Sequence, residues 1–458
     1  MSKQIISPEG ILEVVPLRNL GFWTIWALGV GSVVGDGIFL LLGSGIATAG
    51  PSASLSYLLA GVFQLFLMVA MGEMAIGMPT AGAMSVWVER TMGDWWGLLS
   101  GFGFAFGWVI GGGGISIALG RITCWYFPSL DVNTWTIVFA ILFISLFCLL
   151  NILGGVIAAK TQLYFVLVLV LLMVLFSVVG FKDIDPTNFT PFMPFGWEGF
   201  WLAFPLGTYA YLGAATLATA GAECKNPADL PKALVWSSVT FLALYTAAML
   251  VVTGILPWET IGMEASPFTL AAEKSIGYIG GLVINTAAWL AAATCLIMGT
   301  IYAPSRIFYS QSIAGYLPKF FGKLSAKTHT PVQGIIFIWV ISVVLILIAT
   351  VNPDFVYVVL SMQLVLAWMI SWGLAIIASV LYRKQYPEEV AGLGWHQPLF
   401  PLFPVLGMIG ILSVVYFTFV GMAIHIIYGL FWIIPLLIYY FVIAKPKIAK
   451  MGERRVRI

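Results

Sequence analysis

Charge is scarce in this sequence. Only 9% of its 458 residues are Asp, Glu, Lys or Arg, against about 25% in a soluble domain, while 61% are hydrophobic and the mean hydropathy is +1.01. That shortage excludes a soluble globular class, and a formal net charge of +2 offers no basic surface for a nucleic-acid partner. Cysteine is sparse too. Cys124, Cys148, Cys224 and Cys295 stand singly, without paired metal-ligand spacing, which excludes a disulfide framework and a zinc site. The opening MSKQIISPEG is polar and lacks the apolar stretch of a signal peptide, so the first apolar run is expected to serve as the signal. No nucleophile, base and oxyanion donor cluster at any spacing, which argues against an enzyme, and no cofactor or metal is implied.

What the chain has is apolar length. Segments able to cross a bilayer recur from about Phe22 to about Ile443, roughly twelve in all at about 20 residues each, which predicts an all-α integral membrane protein of twelve transmembrane helices. Placing the amino terminus, with Lys3 and Arg18, in the cytoplasm puts Arg121, Lys182 and Lys274 at the outer side. All but those three of the 21 Lys and Arg then fall inside, among them Lys319, Lys323, Lys327 and the tail from Lys445 to Arg457. That asymmetry predicts a multi-pass protein of the cytoplasmic membrane, surrounded by the lipid bilayer, with both termini cytoplasmic.

The first apolar run, about 22–47, is interrupted by GVGSVVGDGIF over residues 29–39. Gly29, Gly31, Gly35 and Gly37 each weaken a helix interior by roughly 0.5–1 kcal/mol. Among them sits Asp36, whose charge at membrane depth costs at least ~2.5–3.5 kcal/mol. Unwound backbone at that depth is tolerated only against protein or a water-filled cavity. The stretch therefore predicts a discontinuous helix with a binding site at its break.

The sixth run begins near Trp197 and is interrupted by Pro205, Gly207 and Gly213 around Thr208, Tyr209, Ala210 and Tyr211. Proline removes a helical donor and collides with the preceding turn. Breaks in the first and sixth spans fall at corresponding positions of a five-plus-five inverted repeat. The chain then divides into a cytoplasmic segment 1–20, a first repeat over 21–181, a second over 197–382, two further helices in 400–444 and a basic tail, 445–458. The remaining spans are expected at 55–78, through Trp108 to Arg121, at 135–153, 158–179, 234–256, 280 to about 310, 332–350, 355–381, 401–422 and 426–443. In the third, Gly111 to Gly114 predict a closely packed neighbour rather than a kink. An acidic outer loop carries Glu259, Glu264 and Glu273.

Three islands recur in order: GVGSVVGDGIF in the first span, GAECKNPADLP at the exit of the sixth, and SRIFYSQSIAGYLPKFFGKL, followed by TPV, at the end of the eighth. Together they resemble the amino acid-polyamine-organocation (APC) superfamily of secondary transporters, over most of the chain. The resemblance implies twelve helices, a substrate head held at the unwound parts of helices 1 and 6, and alternating access from either side. By position it assigns Gly29, Gly31, Gly35, Asp36 and Gly37 to the first break and Gly207, Thr208, Tyr209 and Ala210 to the second. It makes Tyr209 a gate over bound substrate and Thr300, fifteen residues before Gly315, a pore-facing residue of helix 8. Two positions depart from it. Ser or Thr usually stands where this chain has Asp36, and the lysine some members carry on helix 5, seven residues after a position matching Gln162, is Leu169 here.

Asp36 admits three roles. As an N-cap it accepts from the amides of residues 37–39 at the positive end of the outer half-helix. Ionised, it competes with a substrate carboxylate and selects an amine, polyamine or other organic cation. Protonated, its pKa raised by burial, it admits an amino acid and becomes a candidate proton carrier. Trp108, Trp368 and Trp372 read as packing or interface aromatics. Glu73, Glu223, Lys225 and Arg306 read either as an inner network or as a solvated rim. The expectation is an amino acid permease, proton-coupled or exchanging, with an amine transporter and a non-transporting nutrient sensor as alternatives. Ala215 offers no acid for a cationic substrate side chain.

Overall fold

The computed structural model describes residues 4–6, 12–14, 16–263, 266–350 and 353–451. The side chains of residues 4–6, 12–14, 36, 40, 41, 263, 353–362 and 421–429 fall outside the described residues, as do Lys3, Glu264 and the arginines of the tail. A short antiparallel pair, Gln4–Ile6 with Leu12–Val14, precedes an otherwise helical chain.

The first apolar run forms two helices, α1 (Phe22–Val33) and α2 (Asp36–Ala49). Next come α3 (Ala53–Gly77), then α4 (Met84–Met92) and α5 (Asp94–Trp125), hinged at Gly93, whose φ is +93°. α6 (Val132–Leu153), α7 (Gly155–Gly180) and α8 (Gly196–Ala210) follow, and Ala214–Glu223 continues from α8 as a 3₁₀ stretch. The second half runs through α9 (Asp229–Ile255), α10 (Trp258–Met263), α11 (Pro267–Ile276) and α12 (Tyr278–Thr294). A π-helical segment, Cys295–Tyr302, joins α12 to α13 (Ala303–Ile313). α14 (Val332–Ile348), α15 (Pro353–Gln385), α16 (Pro387–Ala391), α17 (Leu402–Leu430), α18 (Ile433–Tyr439) and α19 (Lys445–Met451) complete it.

Nine helical stretches of the described residues are long and apolar enough to cross a membrane, and Val332–Ile348 is a shorter apolar helix. α6 and α7 expose a row of large apolar side chains, including Leu142, Leu146, Leu149, Val168 and Leu171, on the face turned from the protein. In water such faces would aggregate; in lipid they need no cover. Buried Ala158, Gln162, Val166, Leu169 and Met173 mark the opposite face of α7, which packs on α1 and α12.

Gly111 to Gly114 lie within an uninterrupted α5. Side chains of Leu364, Thr300 and Leu345 fill the space where side chains at Gly111, Gly112 and Gly113 would stand, so these glycines serve packing. The expected boundary between the last two spans moves. α17 continues to Leu430 and the chain turns at Phe431 and Trp432, because 423–425 (AIH) contain no helix breaker. The basic tail begins as helix, since α19 opens at Lys445.

Candidate binding site between two interrupted helices

α1 ends where Val34 closes its last turn onto the Val30 carbonyl at 2.8 Å. Gly35 is extended (φ −133°, ψ −158°) and is the N-cap of α2, so Asp36 is the first helical residue and not the cap. The extended cap conformation costs glycine little, which moves the helix start one residue ahead of the expected one. The Asp36 side chain lies outside the described residues. Its backbone places it in the first turn of α2, where the helix dipole favours negative charge.

The second break lies later than the sequence predicts. Pro205 is accommodated inside α8, and Gly207 to Ala210 form its last turn, with the Thr208 hydroxyl donating to the Phe204 carbonyl at 3.0 Å. Helical geometry ends at Tyr211, and Gly213 turns left-handed at φ +108°. A Cβ at Gly213 would collide with the carbonyl of Ser32 in α1, so the two breaks touch at a point only glycine fits.

Between them lies a cavity with about 30 Å³ of free volume. Ser32, Gly35 and Gly37 form its first-break side, and Tyr209, Ala210 and Leu212 its second. Trp108 and Ile115 of α5, Cys295, and Leu364 and Trp368 of α15 close the far wall. The Tyr209 ring lies against Gly37: its nearest atoms are 3.0 and 3.1 Å from where a Cβ at that glycine would sit. The buried Ser32 hydroxyl, on the lining, has no hydrogen-bond partner among the described residues. A helix start leaves its first amides, and a helix end its last carbonyls, without intrahelical partners. The cavity therefore meets the amide end of α2 and the carbonyl end of α8, where the Thr208 and Tyr209 carbonyls also accept from the amides of Tyr211 and Leu212 at 3.0 and 3.1 Å.

Of the residues assigned from sequence, Gly35, Gly37, Tyr209 and Ala210 line this cavity. Gly29 and Gly31 lie inside α1 and serve close packing, Gly29 against Leu217 and Ser237 of neighbouring elements, Gly31 against Gln162 and Val166 of α7. Gly207 packs on Tyr57, and Thr208 lines a second, smaller cavity beside Gln64 and Trp372. Thr300 is buried beside Gly112 and does not line the main cavity. Cys295, which opens the π segment, faces the break instead.

Trp108 and Trp368, read from sequence as packing or interface aromatics, are walls of the cavity. Their rings meet edge to face with centroids 4.9 Å apart, each fixed by its indole N–H, Trp108 donating to the Thr216 hydroxyl at 3.0 Å and Trp368 to the Phe104 carbonyl at 3.1 Å. Neither residue type nor spacing marks them, because the wall is built from helices distant in sequence.

Three ion pairs engage the charged residues near the helix ends, the first of them at the end of the 3₁₀ stretch. Glu223 accepts from Arg306 Nε at 2.5 Å, Glu73 accepts from Arg383 Nε at 2.7 Å and from the Gln397 amide at 2.7 Å, and Arg90 makes a two-pronged pair with Glu389 at 3.0 and 2.7 Å. Lys225 alone of the four sequence candidates is exposed, although its amide donates to the Leu20 carbonyl at 2.8 Å, tying the segment before α1 to the exit of the second break.

A helical chain that passes the membrane repeatedly and closes a small cavity between the ends of two interrupted helices is built as a membrane carrier of small solutes. The amino acid permease family model matches residues 20–443, and the chain belongs to that family, within the APC superfamily. It is 26% identical over 388 residues to the D-serine/D-alanine/glycine transporter of Escherichia coli K12, covering 81% of each chain. It is 27% identical over 436 residues to the branched-chain amino acid permease of Lactococcus lactis subsp. cremoris, covering 88% of this chain and 92% of that one. To the L-asparagine permease of Salmonella typhimurium it is 26% identical over 391 residues, 81% of this chain and 77% of the relative. The chain is accordingly a permease and not an enzyme.

Proposed function

We propose that the protein moves a small neutral amino acid across the cell membrane by alternating access to the cavity between the two breaks. One observation carries the reading: the cavity is bounded by the amide end of α2 at Gly35 and Gly37 and by the carbonyl end of α8 at Tyr209 and Ala210. The amides suit a carboxylate and the carbonyls an ammonium group, so the two ends together match the zwitterionic head of an amino acid. The unpartnered Ser32 hydroxyl adds a further donor or acceptor. Apolar Ile115, Leu212 and Leu364 and the two tryptophans suit a small uncharged side chain. The named relatives, all amino acid transporters or permeases, support the substrate class.

A free volume of about 30 Å³ takes two waters at roughly 10–15 Å³ each, less than an amino acid needs. Substrate therefore enters only as the walls part, with Tyr209 as the gate over the first break and the Glu223–Arg306 pair closing the inner end. In this reading the helices form twelve spans, five plus five in inverted repeat followed by two, with both termini cytoplasmic. Asp36, protonated when the cavity is occupied, carries the coupling proton in symport; exchange uses the same site without it.

Counterflow into proteoliposomes loaded with unlabelled alanine, serine or glycine tests the reading. Accelerated uptake of the same labelled amino acid is the expected result. Saturable binding without counterflow would make the protein a sensor of similar fold, and counterflow of decarboxylated amines alone would make it an amine carrier.

A further inference from the structure

The last four carbonyls of α1 belong to Val30, Gly31, Ser32 and Val33, and none but the first has a partner within its own helix, since α1 stops there. At membrane depth such groups must find partners in neighbouring elements. The Val33 carbonyl accepts from the Tyr245 hydroxyl of α9 at 2.9 Å. The carbonyls of Gly31 and Ser32 both accept from the Cys295 thiol, at 3.4 and 3.5 Å. Cys295 opens the π segment and lies so near Gly35 that a Cβ there would stand 2.5 Å from its sulfur. The Tyr245 ring also packs on Tyr211 at the second break, centroids 5.1 Å apart. Both side chains are buried.

We propose that Tyr245 and Cys295 are positioning residues that hold the first break open. By taking the carbonyls that α1 leaves unpaired, they remove the drive for residues 34–36 to wind on as helix, and so keep the amides of α2 turned to the cavity. Tyr245 contacts both breaks and sets their separation; Cys295 fixes the edge beside Gly35. The inference concerns the geometry of the break and deepens the reading that this break receives the substrate's head.

The test uses the full-length protein in detergent or nanodiscs and the variants Tyr245→Phe, Cys295→Val and Cys295→Ser. Amide hydrogen exchange of the peptide covering 29–39, without ligand, reads the break directly; alanine affinity reads its consequence. Tyr245→Phe removes the donor to one carbonyl, and Cys295→Val the thiol that two carbonyls share. Each should change exchange at 34–38 and weaken alanine binding by about tenfold, the effect of one lost buried hydrogen bond. Cys295→Ser, whose hydroxyl donates to the same carbonyls, should keep both near wild type. Wild-type exchange at 34–38 in Tyr245→Phe and Cys295→Val, whatever their melting temperatures, would overturn the proposal, and a serine variant as impaired as the valine one would overturn it for Cys295. Altered exchange with unchanged alanine affinity would uphold the positioning role and instead remove the substrate head from this break.

Discussion

Arg306 donates from Nε to Oε1 of Glu223 at 2.5 Å, and its guanidinium carbon lies 3.2 Å from the centre of the Tyr302 ring. The pair is buried and joins the end of the 3₁₀ stretch after the second break to α13. In the proposed alternating access, the two elements it joins separate as the cavity opens towards the loops rich in Lys and Arg.

Removing one partner of a buried pair leaves an uncompensated charge and costs about 3–5 kcal/mol. Glu223→Gln is therefore expected to lower the melting temperature, to make a reporter cysteine in the cavity more reactive from the inner side, and to slow transport. The double swap Glu223→Arg with Arg306→Glu should recover part of each loss. An unchanged melting temperature and inner reactivity in Glu223→Gln would remove the pair from the gate.

Gly213→Ala faces two penalties, a left-handed backbone costing roughly 1–2 kcal/mol and a collision with the Ser32 carbonyl. Gly196→Ala is its control: φ is +61°, but no atom stands within 4 Å of the added carbon. Thermal unfolding should show the first variant clearly less stable than the second, and only the first should lose alanine binding.

Trp368 forms part of the cavity wall, so Trp368→Ala enlarges the space beside Tyr209 and Ala210. Competition uptake should then show leucine or phenylalanine gaining against alanine, with alanine itself weakened by about tenfold as its apolar contacts are lost. Unchanged selectivity would place the substrate side chain elsewhere.

Partial burial pushes the Glu389 carboxyl up, but hydrogen bonds from Arg90 and Tyr382 outweigh it and hold the group below its usual value of 4.5. A carboxyl lowered in the fold stabilises above its unfolded value and loses that contribution as pH falls through the folded one. The pair is about one-third exposed and contributes at most ~1 kcal/mol. Wild type should melt slightly above Glu389→Gln at pH 7, and the gap should close below about pH 4; a gap that widens with acid would contradict the sign.

Much of this was legible in the sequence because the breaks carry their own marks. Four glycines around an acid, and a proline with glycines five spans later, cannot sit quietly in a membrane helix, and both interruptions are present. Their exact places were less legible. Pro205 costs one hydrogen bond that α8 absorbs, whereas Gly213 is demanded by the neighbouring Ser32 carbonyl, a contact visible only in three dimensions. The same holds for Trp108, Cys295 and Trp368, which reach the cavity from helices far apart in the chain. Thr300 lies beside Gly112 in a π segment of the eighth span, and a π turn has no sequence signature.

The central claim is that the amides of the first break receive a carboxylate. Its most direct measurement is binding of paired ligands, alanine beside ethylamine and serine beside ethanolamine, to wild type and Asp36→Ser by thermal shift from pH 5 to 8. The account predicts that wild type binds the amino acids and not the amines, more weakly as pH rises, and that Asp36→Ser binds them without that pH dependence. Wild type preferring the amines, with Asp36→Ser turning to the amino acids, would contradict it and identify Asp36 as an ionised cation selector.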